Sequence, residues 1–274
     1  MVNTYSEIMR KVFAFIKRDF LIETSYRFAF FLNIFSIFFM ILTFFFIARL
    51  FGEGASKYLT QYGGEYFPFV LIGLAFSTYL STGLSGLSGS LRREQMMGTL
   101  EAVLLTPTRI STIIFSLSLF NFLVASVDII IYLVLGIFLG ISINLAHFFP
   151  VVVILILTII SFSSLGIMSA GFIIIFKRGD PINWLFSTVS FLLGGVYYPV
   201  SILPTTLQKL ARLLPITHSL EGIRIALLTD SPLSSLLPSI FALFIFSAVL
   251  LPSSILLFRY AIKKAKVDGS LVQY

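Results

Sequence analysis

Six apolar runs, roughly 28–48, 67–90, 110–140, 149–176, 182–202 and 233–258, decide what this chain can fold into. About 20 mostly apolar residues, wound as a helix, cover the ~30 Å hydrocarbon core of a bilayer. Within hydrocarbon every backbone N–H and C=O needs a partner, and a helix supplies them inside one segment. Residues 28–46 carry nine phenylalanines, an oiliness that leaves no polar side to face water. Only 11% of the residues are charged and 58% are hydrophobic, with a mean hydropathy of +1.02. Soluble domains carry about a quarter charged residues, so this is an all-α integral membrane fold, one domain over 1–274. The third run is 31 residues, about 46 Å at helical rise, and must tilt or extend into the interface.

Lysine and arginine set the orientation. Fourteen of the nineteen fall in the alternate set 1–27, 91–109, 177–180 and 259–274, and five in 49–66, 141–148 and 203–232. Positive residues stay on the cytoplasmic side, which predicts both termini and the 91–109 segment in the cytoplasm. The formal charge of +7 is therefore topogenic and not a nucleic-acid footprint. The first apolar run begins at Phe28, is too long for a signal-peptide core and lacks a small-x-small cleavage site, so it reads as a retained span. No cysteine is present, which excludes disulfides and thiolate metal sites.

Three segments depart from simple spans. In Tyr5–Phe20, Tyr5, Ile8, Met9, Val12, Phe13, Phe15, Ile16 and Phe20 share one helical face, while Glu7, Arg10, Lys11, Lys17 and Arg18 share the other. That pattern predicts an interfacial amphipathic helix within 1–27, drawn to anionic lipid, with Asp19 misplaced. A soluble helix packed on a partner is the alternative. The stretch 199–232 is divided by Pro204, Pro215 and Pro232 into pieces too short to cross. It predicts a re-entrant or interfacial helical hairpin on the outer side, before the last span. The island Leu91–Pro107 has Met96, Met97, Leu100, Val103 and Leu104 at helical spacing, with Arg92, Arg93, Glu94 and Glu101 elsewhere. It predicts an amphipathic cytoplasmic helix over 91–109, ended by Pro107. Gly98 inside it costs ~1 kcal/mol against alanine, which suggests close approach by another backbone.

Single residues also stand out. Ser77, Ser81, Ser85 and Gly89 form a small-residue stripe at spacings of four, with Gly83 and Gly86 nearby. Such a stripe serves helix packing, a dimer interface or the wall of a translocation path. Asp128 lies near the middle of the third run, where a carboxyl group needs a partner or a polar cavity. A protonated carboxyl is one solution and hydrogen bonds to hydroxyls such as Ser118, Ser163 or Tyr132 another, and the choice between structural and path roles is open. Glu221 and Arg224, three apart, can pair along one helix face as an outer gate. Tyr197 and Tyr198 before Pro199 fit an interfacial anchor or a substrate contact. His147 and His218 lack a supporting carboxylate pattern, so no metal site is predicted.

Two of these segments carry a resemblance. Glu94-x-x-x-Gly98-Thr99-Leu100-Glu101-x-x-Leu104-x-Thr106-Pro107 resembles the signature of ABC-2 type permeases, the membrane subunits of one class of ATP-binding-cassette exporters. Pro199-x-x-x-Leu203-Pro204-x-x-Leu207 and Leu214-Pro215-Ile216-Thr217-His218-x-Leu220-Glu221-x-Ile223-Arg224 are similar to that family's segment between its last two spans. The resemblance implies that the 91–109 segment is a coupling helix docking in an ATPase subunit. It puts Glu94, Gly98, Thr99, Leu100 and Glu101 at that interface, with Arg93 and Glu94 setting register. No Gly-x-x-x-x-Gly-Lys-Ser/Thr occurs here, and Gly52 and Gly54 are not followed by Gly-Lys, so ATP and Mg are expected on a separate polypeptide. The expected assembly is a permease dimer, homomeric or paired with a paralogue, with two ATPase subunits in the plasma (inner) membrane. The cargo implied is drug-like, amphiphilic or lipid-linked, and the coupling motif is closest to the drug- and antibiotic-export branch. A membrane enzyme would need paired acids or a His-Glu-x-x-His site, and a secondary transporter inverted repeats; neither pattern is present.

Overall fold

The computed structural model describes residues 2–51, 54, 56–96, 110–144, 146–176 and 181–267. Among the described residues there are ten α-helices and several short 3-10 turns, and no strand. They are α1 Val2–Ser25, α2 Arg27–Phe51, α3 Ser56–Leu59, α4 Tyr66–Met96, α5 Ile110–Phe138, α6 Phe148–Phe176, α7 Pro181–Leu193, α8 Thr205–Ala211, α9 Pro215–Leu228 and α10 Leu237–Val267. Five segments are helical, long and apolar enough to cross a membrane: Arg27–Leu50, Tyr66–Gly86, Phe115–Phe138, Phe148–Phe172 and Leu233–Ala261.

The fifth expected run does not form one helix. Over 182–202, α7 stops at Leu193 after 13 residues, about 20 Å at helical rise and short of the ~30 Å core. The cause is local. Gly195 takes φ +82, a left-handed turn that a side chain disfavours, and Pro199 holds the chain extended before the 3-10 turn Val200–Ile202.

Helix α1 ends where Thr24 and Ser25 turn their hydroxyls back onto the Phe20 and Leu21 carbonyls. Those carbonyls already accept helical bonds, so the hydroxyls share them in the back-bonding usual for Ser and Thr in helices. The chain bends at Tyr26 and α2 begins. Of α1's apolar face, Val12 is buried, while Met9, Phe13 and Phe20 stay exposed. That is the surface an interfacial helix offers to lipid. Asp19 is accounted for by the Arg18 guanidinium, which binds it at 2.7–2.8 Å.

Helix α4 is the centre of the bundle. Its most apolar window is 83% buried, against 11% for α2. Close approach to α6 runs through glycine: a Cβ on Gly83 would lie 2.4 Å from Phe162 Cβ, and one on Gly166 would lie 1.8 Å from the Gly83 carbonyl oxygen. No larger residue fits at either place. On the opposite flank the Asn121 amide of α5 donates to Gly86 O and Ser90 Oγ, each at 3.0 Å. Tyr79 OH meets Ser126 Oγ at 2.8 Å. Helices α6 and α10 form the most extensive pair, with Ser161 and Ser247 hydroxyls 3.0 Å apart between them.

Candidate functional site

The candidate site has two halves, a clasp at the α9 end of α4 and a cleft nearer its other end. The clasp begins with the way 199–228 folds. Pro204 caps α8, and the Gln208 amide donates to the Leu203 carbonyl at 2.8 Å. Pro215 occupies the first turn of α9, where its missing N–H costs no helical bond. Thr217 Oγ1 then donates to Ala211 O at 2.6 Å, and His218 Nε2 to Arg212 O at 2.9 Å. Both carbonyls belong to the end of α8, so the two helices are riveted by the Thr-His pair. Ile216, Leu220, Ile223 and Leu227 recur along one face and are buried. That face packs α9 against α4, α6 and α10.

Arg224 is the most constrained residue of the hairpin. It is 2% exposed, and its Nε donates to Phe69 O at 3.0 Å. Its two terminal nitrogens donate to Gly195 O at 2.7 Å and Val196 O at 3.0 Å. The guanidinium carbon also sits 3.5 Å over the Phe69 ring centroid. The break after α7 makes this possible, because it turns two carbonyls out of helical bonding. Gly73 provides the room: a Cβ there would fall 2.2 Å from Val196 O and 2.4 Å from an Arg224 terminal nitrogen. Charge-assisted bonds of this kind contribute roughly 1.5–3 kcal/mol each. Burial draws the guanidinium's pKa down, but arginine has no accessible neutral form in proteins and stays cationic. Tyr62, buried beside it, is pushed up to about 12, mainly by desolvation with a smaller push from Glu221, and so stays neutral.

The expected Glu221–Arg224 ion pair is not formed. No Glu221 oxygen lies within ion-pair distance of Arg224, although the two charges still feel each other. Arg224 instead turns inward, where three fixed acceptors outbid a half-exposed carboxylate. Tyr197 stacks on Phe44 of α2, with centroids 5.8 Å apart and 12° between planes, and Tyr198 OH bonds the Leu192 carbonyl. Pro199 is buried at the start of the 3-10 turn. Tyr197, Tyr198 and Pro199 thus shape the break that Arg224 reads. His147 Nε2 donates to Ser231 O at 2.8 Å, and Asn144 N to Leu227 O at 2.8 Å. These bonds tie the α5–α6 turn to the end of α9.

The cleft lies between α1, α4 and α5, with a volume of about 360 Å³. The serine stripe divides around it. Ser77 is buried and bonds Leu74 O, whereas Ser81, Ser85 and Gly89 border the cleft. Close helix packing falls to Gly73 and Gly83, off the stripe. Asp128 joins the cleft from α5, and its partner is none of the hydroxyls expected: Asn33 of α2 donates to Asp128 Oδ1 at 2.7 Å. Asn33 is six residues into α2, about 9 Å from the α1–α2 bend, while Asp128 lies near the middle of the span Phe115–Phe138. Glu23 reaches the same cleft from the last turn of α1.

Arg93 and Glu94 lie in the last turns of α4. Gly98, Thr99, Leu100, Glu101 and Pro107 lie outside the described residues. Sequence reasoning missed Asn33, Gly73, Asn121 and Glu23. The lone asparagine in a phenylalanine run was the available signal for Asn33.

Five helices long and apolar enough to cross a membrane, with a buried helical hairpin before the last of them, describe a multi-pass membrane protein. The chain belongs to the ABC-2 type transporter family, whose match covers residues 10–228. It is also similar to Nodulation protein J of Sinorhizobium fredii (strain NBRC 101917 / NGR234), 46% identical over 65 residues. That stretch is 24% of this chain and spans 24% of the relative's length.

Proposed function

We infer that this chain is the permease subunit of an ATP-driven exporter. The observation that carries the reading is α4. One unbroken helix of 31 residues runs from the clasp at Phe69, through the bundle centre, to the turn that opens the 91–109 island. At helical rise it is about 46 Å long, more than a bilayer core needs. A helix gripped along its length moves as a body, so displacement at the island end reaches the clasp end. The island is then the coupling helix, with Arg93, Glu94, Gly98, Thr99, Leu100 and Glu101 against the ATPase and Pro107 closing it. ATP and Mg belong to that partner.

Two permeases, identical or paralogous, with two ATPase subunits complete the assembly, and the path runs between the permeases. Both termini and the island are cytoplasmic in the inner membrane, on the strength of the lysine and arginine bias. Helix α7 is then a short fifth span, and α8–α9 the outer re-entrant hairpin that fills the depth it leaves. Support comes from the burial of α9, which is too short to cross yet packs into three spans. The few fixed charges in the spans suit amphiphilic, drug-like or lipid-linked cargo. Purified alone, the chain is expected to hydrolyse no ATP, while co-purification from its native host brings down an ATP-binding-cassette ATPase. Active transport by the free-standing chain would sink the reading.

A further inference from the structure

The cleft between α1, α4 and α5 gathers acceptors that no hydrogen bond fills. Asn121 uses its amide nitrogen on Gly86 O and Ser90 Oγ, and no hydrogen bond engages its Oδ1. Asp128 takes the Asn33 amide on Oδ1, and its second oxygen carries no hydrogen bond. Glu23 brings a second carboxylate from α1, exposed and lining the same cleft. Among the described lining residues there is no lysine, arginine or histidine. The apolar part of the lining is Phe120 and Val124, on α5 beside Asn121 and Asp128. Two carboxylates from separate helices, an amide acceptor and an apolar wall match a ligand that brings N–H donors, positive charge and hydrocarbon together. A metal ion fits poorly, because among the described residues no three His, Cys, Asp or Glu side chains converge.

We propose that this cleft binds an amphipathic organic cation, its ammonium between Glu23, Asp128 and the Asn121 carbonyl oxygen and its apolar body along Phe120 and Val124. The cleft stands beside the α1–α2 bend, at the level where an interfacial α1 meets lipid. An amphiphile in that leaflet reaches it by lateral movement alone. That such a ligand is cargo rests on the permease reading; that it binds here does not.

The test uses the full chain, without an ATPase, in phosphatidylcholine nanodiscs. The probe is rhodamine 6G, a cationic xanthene bearing N–H donors, followed by fluorescence anisotropy, with anionic fluorescein as the matched control. Saturable rhodamine 6G binding is expected, weakened at least about tenfold by the Glu23→Gln/Asp128→Asn double variant, in line with loss of charge-assisted contacts. Glu23→Gln alone, on the exposed last turn of α1, weakens it by several-fold and carries the test should the double variant not fold. Glu65→Gln, which changes a carboxylate at a separate surface cleft, leaves the Kd unchanged. Absence of saturable binding, equal binding of fluorescein, or an unchanged Kd in the Glu23→Gln variant overturns the proposal. Failure of the permease reading shows separately, as the lack of a co-purifying ATPase.

Discussion

Arg224 and Phe69 meet twice: the guanidinium carbon lies 3.5 Å over the Phe69 ring, and Nε donates to the Phe69 carbonyl at 3.0 Å. One side chain of the hairpin thereby holds both the face and the backbone of the first turn of α4. Arginine alone offers a planar fork with enough donors to take Gly195 O and Val196 O as well.

Lysine at this position would satisfy fewer of the three acceptors. Arg224→Lys is expected to lower stability by about 3 kcal/mol, the worth of two lost charge-assisted bonds. Glu221→Gln should stay within about 1 kcal/mol, since its carboxylate touches no guanidinium. Thermal unfolding in micelles, followed by circular dichroism, compares the two. Equal losses would restore the ion pair that the structure replaces with carbonyls.

Glycines along α4 divide into filled and open positions. Gly73→Ala sets a methyl 2.2 Å from Val196 O, a backbone atom that cannot swing aside, so a loss above about 2 kcal/mol is expected. Gly89→Ala meets nothing within 4 Å and should be neutral or stabilise by up to about 1 kcal/mol through helix propensity. Melting temperatures of the pair decide it. A harmless Gly73→Ala would mean that the hairpin does not sit against α4 as described.

Asp128→Asn keeps an oxygen for the Asn33 amide and should leave unfolding within about 0.5 kcal/mol of the parent chain. Asp128→Leu strands that amide and should cost about 1–2 kcal/mol. The same unfolding assay reads both. Equal melting of the two variants would detach Asn33 from any structural role.

The island is tested by bulk. Gly98→Trp should leave the permease folded and assembled with its ATPase while transport in proteoliposomes drops at least about tenfold and ATP hydrolysis is uncoupled. Unchanged transport removes Gly98 from the coupling contact.

Much of this architecture was legible in the sequence because hydrocarbon imposes a length and a period. The five spans, the amphipathic first helix and the proline-bounded pieces α8 and α9 all follow from those two rules. The short α7 was missed although Gly194-Gly195 stood inside the run, because apolar length was weighed above a glycine pair. The partners of Arg224 were invisible for a different reason. Carbonyl acceptors belong to every residue, so no side-chain pattern announces them, and the nearest carboxylate drew the pairing instead. Asp128 found Asn33, 95 positions away, through a helix contact that periodicity alone does not specify.

The unbroken course of α4 has a geometric corollary. Phe69 and Met96 stand 27 residues apart, about seven and a half turns of one shaft. Inserting a single residue between them would rotate one end by about 100° against the other while leaving every local bond intact. The angular phase between clasp and island is therefore held by a residue count, as timing is held by the teeth of a gear.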